Sequence, residues 1–166
     1  MSPSLNSIVV SLAEVPFEDS IANTTHRATI LVVDDEPLVA DTLSAILARA
    51  GFKTHTAYDG VTALELANKF TPHLMISDVA MPEMNGVELA MTLLDEQPKC
   101  KVLLFSGHAT SADLVNAFDA GHEFRLLSKP IHPTEMLKYI TKTLDIPERH
   151  VAPVRLAQVV PIRRSA

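Results

Sequence analysis

Ala28-Thr29-Ile30-Leu31-Val32-Val33-Asp34-Asp35-Glu36-Pro37 decides the architecture. Six apolar or β-branched residues run without a charge and then stop at two carboxylates, the pattern of a strand buried on both faces whose end reaches solvent. Pro37 suits the first turn of a helix. Val39, Leu43, Ile46, Leu47 and Ala50 then recur at three- and four-residue spacing until Gly51 supplies a stop.

The same unit recurs along the chain. Phe52 to Ala57, Leu74 to Ser77, Val102 to Phe105 and Phe124 to Ser128 read as strands. Val61 to Lys69, Gly86 to Glu96, Ser111 to Ala120 and Pro133 to Leu144 read as helices. Apolar strands alternating with helices predict a parallel sheet covered on both faces, an α/β doubly wound fold. Residues 28–145 form one domain, 1–27 an extension that mixes Ser, Asn, Thr and Pro, and 146–166 a tail.

Composition narrows the function classes. Apolar residues make up 47% of the 166, charged ones 20%, and Trp is absent, so the core is built from aliphatic side chains. A net charge of −6 argues against broad binding to nucleic acid, which needs Lys and Arg to neutralise phosphates. From Asp145 onward four arginines face two acidic residues, in a segment too short for a helix-turn-helix output domain. The single cysteine, Cys100, cannot pair internally, which points to a reducing, cytoplasmic setting. Its neighbours Lys99 and Lys101 would lower its pKa, although no partner base is apparent. The first residues read neither as a signal peptide nor as a membrane span. Seven histidines, at 26, 55, 73, 108, 122, 132 and 150, show no metal-site spacing.

In open parallel sheets the reactive groups lie beyond the carboxyl ends of the strands. Here those positions hold Asp34, Asp35, Asp78, Ser106 and Lys129. Carboxylates gathered at one sheet edge repel one another unless a cation compensates, and an all-oxygen cluster suits magnesium rather than zinc. Each residue also has a plainer reading: Asp34-Asp35 as acids at a helix N-terminus, Asp78 as a turn former, Lys129 as a solvated lysine, Ser106 as a cap. Taken together they form a site for phosphoryl transfer, with a carboxylate nucleophile and Ser and Lys donors for the phosphoryl oxygens. Two other classes share parts of this pattern. A magnesium-dependent phosphatase would need an Asp-x-Asp loop, and a flavin carrier a Ser/Thr/Gly-rich phosphate loop where Asp34-Asp35-Glu36 stands.

Ile30 to Pro37, Asp78 with Met81-Pro82 and Gly86, Ser106-Gly107 and Lys129-Pro130 resemble the receiver domains of two-component response regulators over residues 28 to 145. The resemblance implies a flavodoxin-like five-stranded sheet in the order 2-1-3-4-5. It makes Asp78 the phosphoacceptor and gives Mg2+ to Asp35, Asp78 and the Ala80 carbonyl, with Asp34 acting largely through water. Ser106 and Lys129 would contact the phosphoryl oxygens, and the Lys129–Pro130 bond would be cis. It implies a signalling switch rather than an enzyme, phosphorylated by a histidine kinase or histidine phosphotransfer protein. Output would go to an effector protein or a homodimer through the fourth helix, fifth strand and fifth helix, without direct DNA or membrane binding. The family's aromatic switch position is Leu126 here. Phe124 lies two residues earlier, and a local bulge between Gly121 and Lys129 would bring it into the switch pocket. Ala80, two positions after Asp78, has no side-chain amide or carboxylate to position a hydrolytic water.

Overall fold

The computed structural model describes residues 28–107 and 124–147. Five strands form one sheet: β1 (Thr29–Val33), β2 (Lys53–Ala57), β3 (Leu74–Asp78), β4 (Lys101–Ser106) and β5 (Arg125–Ser128), in the order β2-β1-β3-β4-β5 with every pairing parallel. The described helices are α1 (Pro37–Arg49), α2 (Gly60–Phe70), α3 (Gly86–Glu96) and α4 (Pro133–Thr143). The helix expected over Ser111–Ala120 lies outside the described residues, as do 1–27 and most of the C-terminal tail.

Strand alternation divides the core in two. Leu31, Val33, Met75 and Leu104 face α2 and α3, packing with Ala63, Ala67, Leu89 and Leu93. Ile30, Val32, Ile76, Leu103 and Phe105 face α1 and α4, packing with Leu47, Met136 and Ile140. Burial on both faces is why β1 and β3 carry no exposed residue. The edge strand β2, Lys-Thr-His-Thr-Ala, buries only Ala57 fully.

Local chemistry sets the helix boundaries. Pro37 opens α1, and Gly51 follows its C-cap at φ 102, a left-handed conformation that costs glycine little. Asp59 caps α2 through Thr62 N–H, so the helix begins at Gly60, one residue before the apolar pattern. At α3 the Asn85 side chain accepts from Val87 and Glu88 N–H while Glu88 accepts from Asn85 N–H, a reciprocal capping box. His132 caps α4 by accepting from Thr134 N–H.

The β4–β5 register runs unbroken from Leu103↔Arg125 to Ser106↔Ser128, while residues 121–123 of the segment expected to hold a bulge lie outside the described residues. One expectation needs correction. Cys100 is buried, and desolvation pushes its thiol up to about 11 rather than down. Lys99 and Lys101 are both exposed, so their charges stay in water while the sulfur is withdrawn from it.

Candidate functional site

The order of the sheet reverses between β1 and β3, and the residues that end those strands and their neighbours meet there. Asp34 follows β1, Asp78 closes β3, Ser106 closes β4 and Lys129 follows β5. Lys129 is held by its neighbour strand, since its N–H donates to the Ser106 carbonyl at 2.9 Å. The Lys129–Pro130 bond is cis.

The Lys129 ammonium joins the two inner carboxylates. Its Nζ lies 2.8 Å from Asp78 Oδ1 and 3.0 Å from Asp34 Oδ2. Asp34 is 4% exposed and Asp78 9%, so both carboxylates are withdrawn from water and depend on partners. The other oxygen of Asp34, Oδ1, accepts from Glu36 N–H at 3.0 Å and ties the carboxylate to the start of α1. Partial burial works to lower the Lys129 pKa, but hydrogen bonds to Asp78 and Asp34 and their charges outweigh it, and the ammonium is held above lysine's ordinary range. It is a fixed cation at working pH.

Asp35 is treated differently. It is exposed, and among the described residues no three His, Cys, Asp or Glu side chains lie together as a ready metal cluster. Of the three carboxylates singled out from sequence, two converge and the third stands at the rim. The loop after Asp78 is nonetheless built to leave an oxygen available. Val79 O accepts from both Met81 N–H and Gly86 N–H, whereas among the described residues no backbone donor reaches the Ala80 carbonyl. Asp34, Asp35, Asp78 and that carbonyl are all hard oxygen donors, and an ammonium already sits between two of them, so the set fits Mg2+ in kind.

An apolar cleft of about 660 Å3 opens onto these groups between α1 and α4. Leu38, Val39, Leu43, Ile131 and Met136 line it beside Asp34, Asp78 and Lys129. Leu38, in the first turn of α1, is 80% exposed. On the opposite side of the sheet Leu126 stands across from Leu104, and it and Phe124 both pack on the core formed with α2 and α3. The two share a face because they are two residues apart. Ser106 is 4% exposed and Gly107 beside it has open space where a Cβ would stand.

Residues 30–141 match the sequence profile of the response regulator receiver domain. The chain belongs to the response regulator receiver family. Among curated relatives, the Regulator of RpoS from Escherichia coli K12 is 39% identical over 109 residues, covering 66% of this chain and 32% of that protein. The probable transcriptional regulatory protein TcrX of Mycobacterium tuberculosis is 32% identical over 120 residues, covering 72% of this chain and 45% of its own. This receiver chain thus spans about a third to a half of those relatives. Among solved structures, a CheY-like receiver domain protein from Methanospirillum hungatei aligns with a TM-score of 0.67 at 27% identity, over 72% of this chain and 94% of that one. The chemotaxis protein CheY4 of Vibrio cholerae aligns with a TM-score of 0.64 at 28% identity, over 70% and 98%. The flavodoxin-like receiver fold and its 2-1-3-4-5 strand order are therefore those of this chain. Receiver domains are signalling switches rather than enzymes of the usual kind, and they generally bind Mg2+ at their acidic pocket.

Sequence reading missed one residue that shapes the site and the contact made by another. Ser77 is completely buried next to Asp78, and Gly86, read in sequence as part of the motif, packs directly on the Asp78 carbonyl. The available signal was a hydroxyl interrupting the run Leu74-Met75-Ile76. Of the histidines, His73 accepts from Thr29 N–H and His55 stacks on Phe70 at 3.7 Å, both structural roles; 26, 108, 122 and 150 lie outside the described residues.

Proposed function

We propose that this receiver takes a phosphoryl group onto Asp78 from a phosphohistidine of a histidine kinase or histidine phosphotransfer protein, and signals by a phosphorylation-dependent change in protein binding. The observation that carries the reading is the pairing of Lys129 with a nearly buried Asp78 at 2.8 Å, beside Asp34. A phosphoryl group arriving on Asp78 brings oxygens that the same ammonium can bind, so its ion pair moves outward without being lost.

An Asp78 carboxylate oxygen attacks phosphorus, the O–P bond forms as the N–P bond to imidazole breaks, and the imidazole nitrogen takes up the electron pair. Lys129 and the Ser106 hydroxyl bind the transferred oxygens. Asp34, Asp35, Asp78 and the Ala80 carbonyl would hold Mg2+, which when bound neutralises charge on the phosphoryl oxygens. Ala80 offers no side-chain group for a water, so hydrolysis of the acyl phosphate gets no help from that position.

The cleft between α1 and α4 supports the donor assignment, because its apolar wall gives an incoming helical partner something to bury next to the nucleophile. Output is assigned to the side of β5 and α4, to which Lys129 joins the site; residues 111–120, expected from sequence to contribute, lie outside the described residues. Leu126 cannot hydrogen-bond, so any side-chain rearrangement there works through packing with Phe124. The acids that follow β1 leave no cradle for a flavin phosphate.

Incubation with acetyl phosphate and magnesium tests the reading. An acid-labile, hydroxylamine-sensitive mass increase is expected on the wild type and none on Asp78→Asn. Equal labelling of the two proteins would overturn it.

A further inference from the structure

We infer that Ser77 and Gly86 are positioning residues for phosphoryl transfer, clamping the Asp78–Val79 peptide from the side of the sheet opposite the chemistry. The inference rests on Asp78 being the phosphoacceptor.

Ser77 is 0% exposed in a strand otherwise made of Leu, Met and Ile up to that point. A hydroxyl buried there costs free energy unless it is bonded, and a small apolar residue would fill the space without that demand. Its Oγ donates to the carbonyl of Asp78, the next residue, at 2.9 Å. That bond adds nothing to the sheet ladder. It fixes the orientation of one peptide group.

The other half of that peptide is held as well. Val79 N–H donates to the Phe105 carbonyl at 2.9 Å, extending the β3–β4 pairing by one step past Asp78. Gly86, the first residue of α3, closes the clamp. A Cβ built on it would collide with Asp78 O and stand 2.9 Å from Asp78 C and 3.0 Å from Ser77 Oγ. Two of those atoms are backbone and cannot swing aside. Gly86 N–H meanwhile donates to Val79 O at 3.0 Å, so the loop from 79 to 86 is cinched onto the adjoining Val79–Ala80 peptide. Glycine is required at this position by close approach, not by a left-handed φ.

The clamp touches no reacting atom. Ser77 pairs in register with Val33 and Leu104, whose side chains belong to the core under α2 and α3. Asp78 pairs with Phe105 and lines the cleft on the α1 and α4 side. Ser77 and Gly86 therefore set the direction of the nucleophile from behind. Direction matters because in-line attack on phosphorus tolerates little displacement, and about 1 Å of misplacement can cost on the order of a hundredfold in rate.

The test measures labelling of the full chain by acetyl phosphate with magnesium, comparing wild type, Ser77→Ala, Gly86→Ala and the double variant, with Asp78→Asn as control. Ser77→Ala removes the hydroxyl and little volume, so it should fold. It is expected to lose roughly tenfold in the rate at saturating acetyl phosphate, with the half-saturating concentrations of acetyl phosphate and magnesium unchanged. If Gly86→Ala folds, its loss and that of Ser77→Ala should combine to less than the product of the two, because both act on one peptide. Ser77→Ala at the wild-type saturating rate would overturn the inference. So would a loss confined to half-saturation. Asp78 labelled at equal rates in wild type and Ser77→Ala removes the clamp and leaves the phosphoacceptor standing, whereas a wild type that takes no label at Asp78 removes both.

Discussion

The Lys129 ammonium and the Asp78 carboxylate approach to 2.8 Å although they lie on opposite sides of β4 in the sheet, on the ends of β3 and β5. The contact spans one intervening strand, which is possible because Lys129 follows Ser128 directly, its N–H is held on the Ser106 carbonyl at the end of β4, and its side chain is long. With Asp34 as its second partner, the ammonium does for the unphosphorylated pocket what a cation must do for any pair of withdrawn carboxylates.

Removing that ammonium separates its two roles. Lys129→Ala is expected to bind magnesium more tightly by about fivefold, equivalent to roughly 1 kcal/mol for a partly exposed ion pair that no longer has to be displaced. The same variant should take up the phosphoryl group at least roughly tenfold more slowly, having lost a donor to its oxygens. Calorimetry and the labelling rate check the two halves; weaker magnesium binding would contradict the competition.

Asp35 stands at the exposed rim, outside the Lys129 network. Asp35→Ala should therefore leave thermal stability within about 0.5 kcal/mol, as surface substitutions usually do. Magnesium binding should nevertheless fall by an order of magnitude or so, a carboxylate being a principal ligand for this ion. Magnesium affinity equal to that of the wild type would remove Asp35 from the metal site.

His55 gives the fold an acid-sensitive edge. Its pKa is lowered by burial and by the charges of Lys53 and Lys69, and its buried Nε2 has no hydrogen-bond partner among the described residues. The unfolded chain binds a proton on this histidine more readily than the folded one. Stability from this group is therefore full above its unfolded value of about 6.5 and is lost as pH falls through the lower folded value. The urea midpoint should drop between about pH 7.5 and 5, and His55→Phe, which keeps a ring against Phe70, should flatten that drop. An unchanged slope in the variant would assign the acid sensitivity elsewhere.

Cys100 should be nearly inert in the native state. Moving its pKa from 9.0 to about 11 by burial leaves roughly a hundredth of the thiolate present at about pH 8 in the unfolded chain. Alkylation by iodoacetamide is expected to be at least that much slower before than after denaturation. As the folded thiol holds its proton longer, stability from it is present below pH 9 and declines as pH rises toward 11. Equal alkylation rates would show that the sulfur reaches solvent.

Much of this was legible in sequence because the signals were local. Ile30 to Val33 and Leu74 to Ile76 are apolar runs that no other element explains, Asp34 and Asp78 mark the ends of their strands, and Lys129 marks the end of β5. The strand order came from resemblance, since periodicity does not say which parallel neighbours pair. What stayed hidden depended on direction. Cys100 misled because charges adjacent along the chain need not share its surroundings: Lys99 and Lys101 reach water and the sulfur does not. Ser77 was read as the end of an apolar run, and only the approach of Gly86, nine residues on in sequence, shows what its hydroxyl does.

The distance along the chain between Asp34 and Lys129 has a bearing on biosynthesis. Both acids of the pocket are made well before the lysine that neutralises them, as Lys129 follows Asp34 by 95 residues. A nascent chain that has emerged only through β4 carries the acids without their cation and an unpaired strand margin where β5 will later attach. Pairing β5, the last strand among the described residues, against β4 thus brings in the charge that lets the acids be buried, and α4, which follows it, then covers that side of the sheet.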